Sequence, residues 1–284
     1  MIKVLLIIGS ILTVIAVAMI SGRLRWHFRT RCLFTYLAPG IQRNSATFFE
    51  SERDLNDLPE PVKYYFKTAL SPGQPLPYGL KMHHRGTFNM DESGEQWKSF
   101  TAQQHVNLIS PGFLWDARIN MFPGLKAYVH DAYIRGEGIL YATLGGLITV
   151  ANSRGTPELA RGERMRYLAE APWYPTALLP QSGVRWHAVD EHSARATLGE
   201  GPGEVTLLFR FDPEYRIASV FADDRGRMVN GATVPTPWEG RWSQYERRFG
   251  MLVPVKGEVA WIINGKYRPY WRGELLEIEY EFHN

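Results

Sequence analysis

Hydrophobic and polar positions divide this chain into an apolar leader and a long body of alternating segments. Residues 4–20, VLLIIGSILTVIAVAMI, form a run of seventeen without charge, at the short end of what spans a bilayer core as a helix. RLRWHFRTR follows, and arginines with Trp26 and Phe28 suit the interfacial flank of an anchor. A cleaved signal peptide with its site at Ala16-Val17-Ala18 is the competing reading. The run continues through Met19-Ile20 into that basic stretch, which favours an uncleaved anchor. Further on, Val62, Tyr65, Phe66, Ala69 and Leu70 make one apolar face of a short helix, opened by Pro59 and Pro61 and closed by Pro72.

From Leu80 the period changes to two. Segments 80–90, 96–109, 113–121, 125–135 and 138–152 have strand length and are separated by turn residues such as Asp91–Gly94 and Phe122-Pro123-Gly124. A helical insertion follows, with Thr156 as cap, Pro157 at the first position, and Leu159, Met165, Leu168 and Ala169 on its buried side. Pro172 and Pro175 stop it, and a short turn is expected at 176–180. Strand texture then resumes. Val205, Leu207, Phe209 and Phe211 share a face ahead of Asp212-Pro213, and 216–223, 239–249, 252–263 and 270–282 continue the pattern. About a dozen strands argue for one large antiparallel sheet, which at that size must curve or close. The expected organisation is an anchor at 1–22, a juxtamembrane connector at 23–57 and a β domain at 58–284.

Composition narrows the function. The formal charge is +3, but Lys3, Arg23, Arg25, Arg29 and Arg31 all lie at the start of the chain. Removing these five from the 32 basic residues leaves 27 against 29 acidic ones, so the body offers no basic face for nucleic acid. The positive-inside tendency alone would put the body in the cytoplasm; the side of the membrane stays open. The single cysteine, Cys32, excludes an internal disulfide. No G-x-S-x-G, phosphate loop or zinc-ligand spacing is present, so neither cofactor nor metal is expected. His83 and His84 point to opposite faces of a strand, and His187, Asp190, Glu191 and His192 fit a solvated turn.

Two resemblances emerge from longer blocks. PGFLWDARINMFPGLKAYVHDAYIRGEG, RYLAEAPWYPTALLP and VPTPWEGRWSQY with GEVAW resemble a bacterial, membrane-associated family of unknown function, which carries no catalytic residue to transfer. VTLLFRFDPEYRIASVFADD, with Tyr245, Gly250, Met251 and Pro254 further on, resembles the closing strands of lipoprotein-carrier-like half-barrels. The second resemblance implies a mainly β, incompletely closed antiparallel sheet with two or three short helices plugging its concave side. It also implies an envelope location and an apolar or lipid-like ligand in the cavity.

Candidate site residues follow from these blocks. Trp115, Arg118, Trp173, Trp238, Arg241 and Trp261 are the ligand-binding candidates, since aromatic walls suit apolar ligands; filling the core is their ordinary alternative. Asp116, Asp131 and Glu170, with Arg118 as an anion clamp, are the acid–base candidates if the protein is an enzyme, and Arg135 and Glu137 come from the neighbouring hairpin arm. The alternative for these charges, and for Glu239, Glu258 and Arg272, is a ladder of cross-strand ion pairs. Expected partners are the bilayer, through residues 4–20, and a lipid or other apolar molecule. No motif identifies a protein partner, and a membrane scaffold is the remaining reading.

Overall fold

The computed structural model describes residues 2–38, 47–91 and 94–283. It contains a single antiparallel sheet of 13 strands in the order β6-β5-β4-β3-β2-β1-β13-β12-β11-β10-β9-β8-β7. The strands are β1 (Gly79–Asn89), β2 (Trp97–Asn107), β3 (Gly112–Phe122), β4 (Leu125–Ile134), β5 (Glu137–Leu144), β6 (Ile148–Arg154), β7 (Val184–Asp190), β8 (Ser193–Leu198), β9 (Val205–Phe211), β10 (Ile217–Val229), β11 (Ala232–Arg248), β12 (Met251–Ile263) and β13 (Lys266–Glu281). Every neighbour in this order is adjacent in sequence except β1 and β13, whose pairing joins two meanders into one sheet. The expected class, a large open antiparallel sheet with few helices, is what is observed.

Several hairpins turn on two residues with positive φ, the arrangement whose twist matches paired strands. Asn230-Gly231 and Asn264-Gly265 are of this kind, as are Arg135-Gly136 and Phe249-Gly250. The segment expected as one strand at 138–152 is instead a hairpin. Gly145 and Gly146 both have positive φ, so β5 turns back into β6 there. The turns β1–β2, β3–β4, β5–β6, β10–β11 and β12–β13 all lie on one edge of the sheet, called here the tip edge.

Helices cover one face. These are α3 (Glu60–Ala69), α4 (Pro157–Ala169) and three short 3-10 turns between Ala171 and Ser182, with the single turn α2 (Ser51–Asp54) preceding them. Thr156 caps α4, its Oγ1 accepting from the Leu159 N–H at 3.2 Å. Under these helices Leu80, Met82, Phe100, Phe113, Trp115, Leu207, Phe209, Val220 and Trp242 form the main core.

The opposite face has a smaller core of Leu33, Leu37, Leu114, Ala132, Ile134 and Ile139. Its cover is α1 (Ile2–Leu37), an unbroken helix of 36 residues. This changes the picture of the connector expected at 23–57. The helix continues to Leu37, and its second half is packed on β3–β5. Gly22 meets the β5–β6 turn so closely that a methyl there would collide with the Gly145 carbonyl oxygen. At the far end Asn107 donates from Nδ2 to the Leu37 carbonyl at 2.9 Å. The helix therefore enters at the tip edge and ends at the opposite edge. Residues 2–21 project beyond the tips, roughly 30 Å at 1.5 Å per residue. They form a helix long and apolar enough to cross a membrane, a property shared with signal sequences.

Candidate functional site

Pleating sends alternate side chains of each strand to opposite faces, which sorts the charged residues of β3 and β4 into separate groups. On the helix-covered face, Arg166 of α4 donates to Asp131 of β4 at 2.6 Å and to Glu170 at 2.7 Å. Its guanidinium lies over the rings of Phe113 and Trp115, at 4.7 and 5.2 Å. Gln104 donates to the other Glu170 oxygen at 2.6 Å. Glu163, one helical turn before Arg166, is buried. Burial and then the nearby Asp131 carboxylate push its carboxyl group well above the usual range, which favours the protonated form. Buried atoms without a hydrogen bond gather here: Asp131 Oδ1, Glu163 Oε2, Gln104 Oε1 and Trp115 Nε1. His84 stacks on Trp173 with centroids 4.6 Å apart, and burial lowers its pKa to about 3, so it is neutral at physiological pH.

The opposite face holds the α1 dock. Trp26 Nε1 donates to Asp116 Oδ1 at 2.9 Å, while Arg118 donates to both oxygens of the same carboxylate. The Thr30 hydroxyl is 3.3 Å from Asp116 and 2.8 Å from His130 Nε2. The His130 ring stacks on Trp26 at 3.8 Å. Burial lowers the His130 pKa to about 4 despite the neighbouring Asp116, so the contact at neutral pH is a hydrogen-bonded, stacked one rather than an ion pair. Trp26, expected at a membrane interface, is thus only 3% exposed and holds the helix to the sheet. Phe28, two residues on, is exposed.

Between the α1 dock and β10 the same face is open. Register places Phe100, Gly86, Gly273, Gly257 and Trp242 in one row across β2, β1, β13, β12 and β11. On the helix-covered side the Trp271 ring lies flat over Gly273 and the Trp242 ring over Gly257, where any Cβ would collide with them. On the open side the row floors a trough of about 950 Å³, flanked by Arg85, Thr101, Arg241, Ser243, Lys256 and Glu258 among others. Its surface is mainly apolar, because the glycine backbone and the aliphatic stems of long polar side chains supply it. Rim charges pair across strands, Arg85 with Glu274 at 2.8 Å and Arg272 with Glu258 at 2.6 Å. Lys256 makes no ion pair among the described residues.

A second cavity of about 560 Å³ lies at the tip edge, lined by Phe88, Trp97, Met228, Trp261, Tyr267 and Tyr270 among others. Tyr270 is the extra residue of a β13 bulge, which turns its ring onto Trp261 at 5.7 Å and lets its hydroxyl accept from Trp238 Nε1 at 2.9 Å. Among the described residues the two cavities share no lining residue. Arg272 of the trough covers the Trp97 ring of the tip cavity at 4.3 Å, and Arg241 covers the Tyr267 ring at 3.9 Å, so these pairs stand between the two.

Residues 56–280 match the model of a family of unknown function, DUF6920. The chain belongs to that family. The span takes in the whole sheet except the last residue of β13, together with α3 and α4. α1 lies before it. No curated protein matches the chain. Among solved structures it is similar to a LolA superfamily protein from Nitrosomonas europaea, 9% identical over 78% of this chain and 92% of that one, with a TM-score of 0.40. It is also similar to a β-barrel-like DUF1849 protein from Brucella abortus, 10% identical over 74% and 99%, with a TM-score of 0.22. Scores this low carry no statement about activity.

The structure disperses the residues singled out from the sequence of this DUF6920 member. Asp116 and Arg118 pair, as their spacing suggested, but they face α1. Asp131 and Glu170 lie on the other side of the sheet, bridged by Arg166, so the proposed carboxylate group is divided by the sheet itself. Trp115, Trp173 and Trp238 are 4%, 1% and 3% exposed, within filled core. Arg241 flanks the trough and Trp261 the tip cavity. Arg272 and Glu258 pair across β13 and β12 as one rung of the expected ladder, whereas Arg241 pairs with Glu239 along β11 at 3.1 Å. Among the described residues no group of acids, histidines or cysteine is placed to hold a metal.

Several residues of these sites were not anticipated. Trp26, Thr30, Leu33 and Leu37 follow a helical spacing that continues the apolar run, and that spacing could have revealed the docked half of α1. Gly86, Gly257 and Gly273 each interrupt a strand, a pattern that marks close approach of another group. Glu163 and Arg166 had no such signal, since both read as ordinary exposed charges of a surface helix.

Proposed function

We propose that this protein is tethered to a bacterial membrane by residues 4–20 and binds an apolar, lipid-like molecule without transforming it. The observation that carries this reading is the trough of about 950 Å³ over the glycine row. It has the upper size of small-molecule sites and their usual makeup, a mostly apolar surface with a few polar groups to orient the ligand. An acyl chain lies along the glycine floor, with the Arg241–Tyr267 and Arg272–Trp97 pairs closing its tip end. The unpaired Lys256 on the rim suits an anionic head such as a carboxylate. The site is therefore assigned to the open face, and the tryptophans of the filled interior serve as its support. The inner Asp131–Arg166–Glu170 group is closed off by α4 and is a structural network in this reading.

The test uses the full chain in detergent micelles and a fluorescent fatty acid as probe. Saturable binding is expected, weakened at least tenfold by Ser243→Trp or Thr101→Trp, which fill the trough from exposed positions. Lys256→Gln should weaken it by less. Absence of saturable binding, or binding indifferent to both tryptophans, would overturn the assignment.

A further inference from the structure

The tip edge carries apolar side chains that the sheet has no use for. Phe122 is 68% and Ile148 66% exposed, and Leu125, Leu147 and Met228 are exposed on the same edge. Two of these turns, β3–β4 and β5–β6, stand beside the point where α1 leaves the sheet. Gly22 touches Gly145, Gly146 and Leu147, only two residues beyond the end of the apolar run at Ile20.

We infer that the tip edge lies in the head-group layer of the bilayer, with the β3–β4 and β5–β6 turns dipping into it and the tip cavity opening onto lipid. This rests on the reading of residues 4–20 as a retained anchor. Given that anchor, its last apolar turn ends at the β5–β6 turn, and a rigid contact there leaves Phe122 and Ile148 no position far from the membrane surface. Aromatic and aliphatic side chains gain by leaving water at that depth. Lys126, Lys266 and Arg268 on or next to these turns are matched by Asp91, Glu92 and Glu95, so it is the apolar side chains and not charge that select this edge. The occupant is a lipid surface and not a protein, because the edge is continuous with the membrane-spanning segment. On the opposite edge, Ile109, Val189 and Phe249 are exposed on separate turns, far from the anchor.

The consequence concerns ligand traffic. A lipid-like molecule reaches the tip cavity from the bilayer without crossing water.

Single cysteines placed in a Cys32→Ser background of the full chain test this, carrying an environment-sensitive fluorophore in vesicles of phosphatidylethanolamine and phosphatidylglycerol. Val14→Cys reports the anchor, Phe122→Cys and Ile148→Cys the tips, and Ile109→Cys the far edge. The expected result is several-fold stronger quenching by nitroxide lipids, and several-fold weaker quenching by iodide, at positions 122 and 148 than at 109. Tips in water with position 14 in lipid overturn this inference and leave the anchor standing. Position 14 in water removes the anchor and the inference together. Equal lipid contact at 109 also overturns it, since no edge is then selected.

Discussion

The two faces of the sheet put the same strands to different uses. On the helix-covered face, strand positions carry Met82, Phe100, Trp115, Phe209 and Val220, and helices complete their burial. On the other face the central strands carry Arg85, Thr101, Arg241, Lys256 and Glu258 around a groove that no helix covers. At β3–β5 that face becomes apolar, with Leu114, Ala132 and Ile134, and there α1 covers it. The contrast teaches that burial in this protein follows the partner that is available. Where a helix lies on a face, the strand positions beneath it are buried; where none does, polar side chains line an apolar floor.

The comparison is broken most sharply by substitutions that differ only in face. Trp173→Ala removes a fully buried ring that stacks on His84 and meets Trp242 edge-to-face, and should cost about 3–5 kcal/mol in chemical denaturation. Thr101→Ala on the open face should stay within about 0.5 kcal/mol. Equal losses at the two would mean that the trough is as tightly packed as the core.

Acid should separate both buried faces from the open one. His84 and His130 have folded pKa values lowered to about 3 and about 4 by burial, below the unfolded value of about 6.5. The unfolded chain therefore binds more protons between these limits, so their contribution is complete above pH 6.5 and is lost progressively as pH falls towards 4. Each histidine contributes up to roughly 3 kcal/mol over that window. His130→Asn should flatten the acid limb of a stability–pH curve; an unchanged limb would mean that His130 is protonated in the folded state.

A smaller effect is expected at the dock. Asp116→Ala leaves Trp26 Nε1 and Arg118 without their acceptor, at about 2 kcal/mol. The loss should appear as faster proteolytic cutting within residues 23–37, while the main sheet stays resistant. Smallest of all is Arg272→Ala, which deletes an ion pair whose arginine side chain is 50% exposed. A change within about 0.5 kcal/mol is expected, together with a measurable change in fatty-acid binding if the Arg272–Trp97 pair forms a wall of the site.

Much of this architecture was readable from spacing. Thr156-Pro157 announced α4, the apolar face Val62 to Leu70 announced α3, and the alternation through Val205–Phe211 announced β9, because these signals are local. The fused span at 138–152 was misread because its turn is Gly145-Gly146 within an otherwise strand-like run. The site was less legible. Asp116 and Asp131 looked like partners because hairpin arms bring their strands together, yet a one-residue offset in register sends them to opposite faces. Trp115 and Trp173 looked like cavity walls because aromatic content says nothing about what stands in front of a ring.

By itself the sequence determined the elements: an apolar helix, a β body of many short strands, two capped or proline-led helices, and a β domain without a basic face. Those follow from periodicity and from charge, which neighbouring residues specify directly. Tertiary structure alone decided that α1 continues past Gly22 to cover β3–β5, that Arg166 claims Asp131 and Glu170, and that Gly86, Gly273 and Gly257 align into one floor. Each of these depends on the register between strands distant in sequence, above all the pairing of β1 with β13, and no local pattern encodes that register.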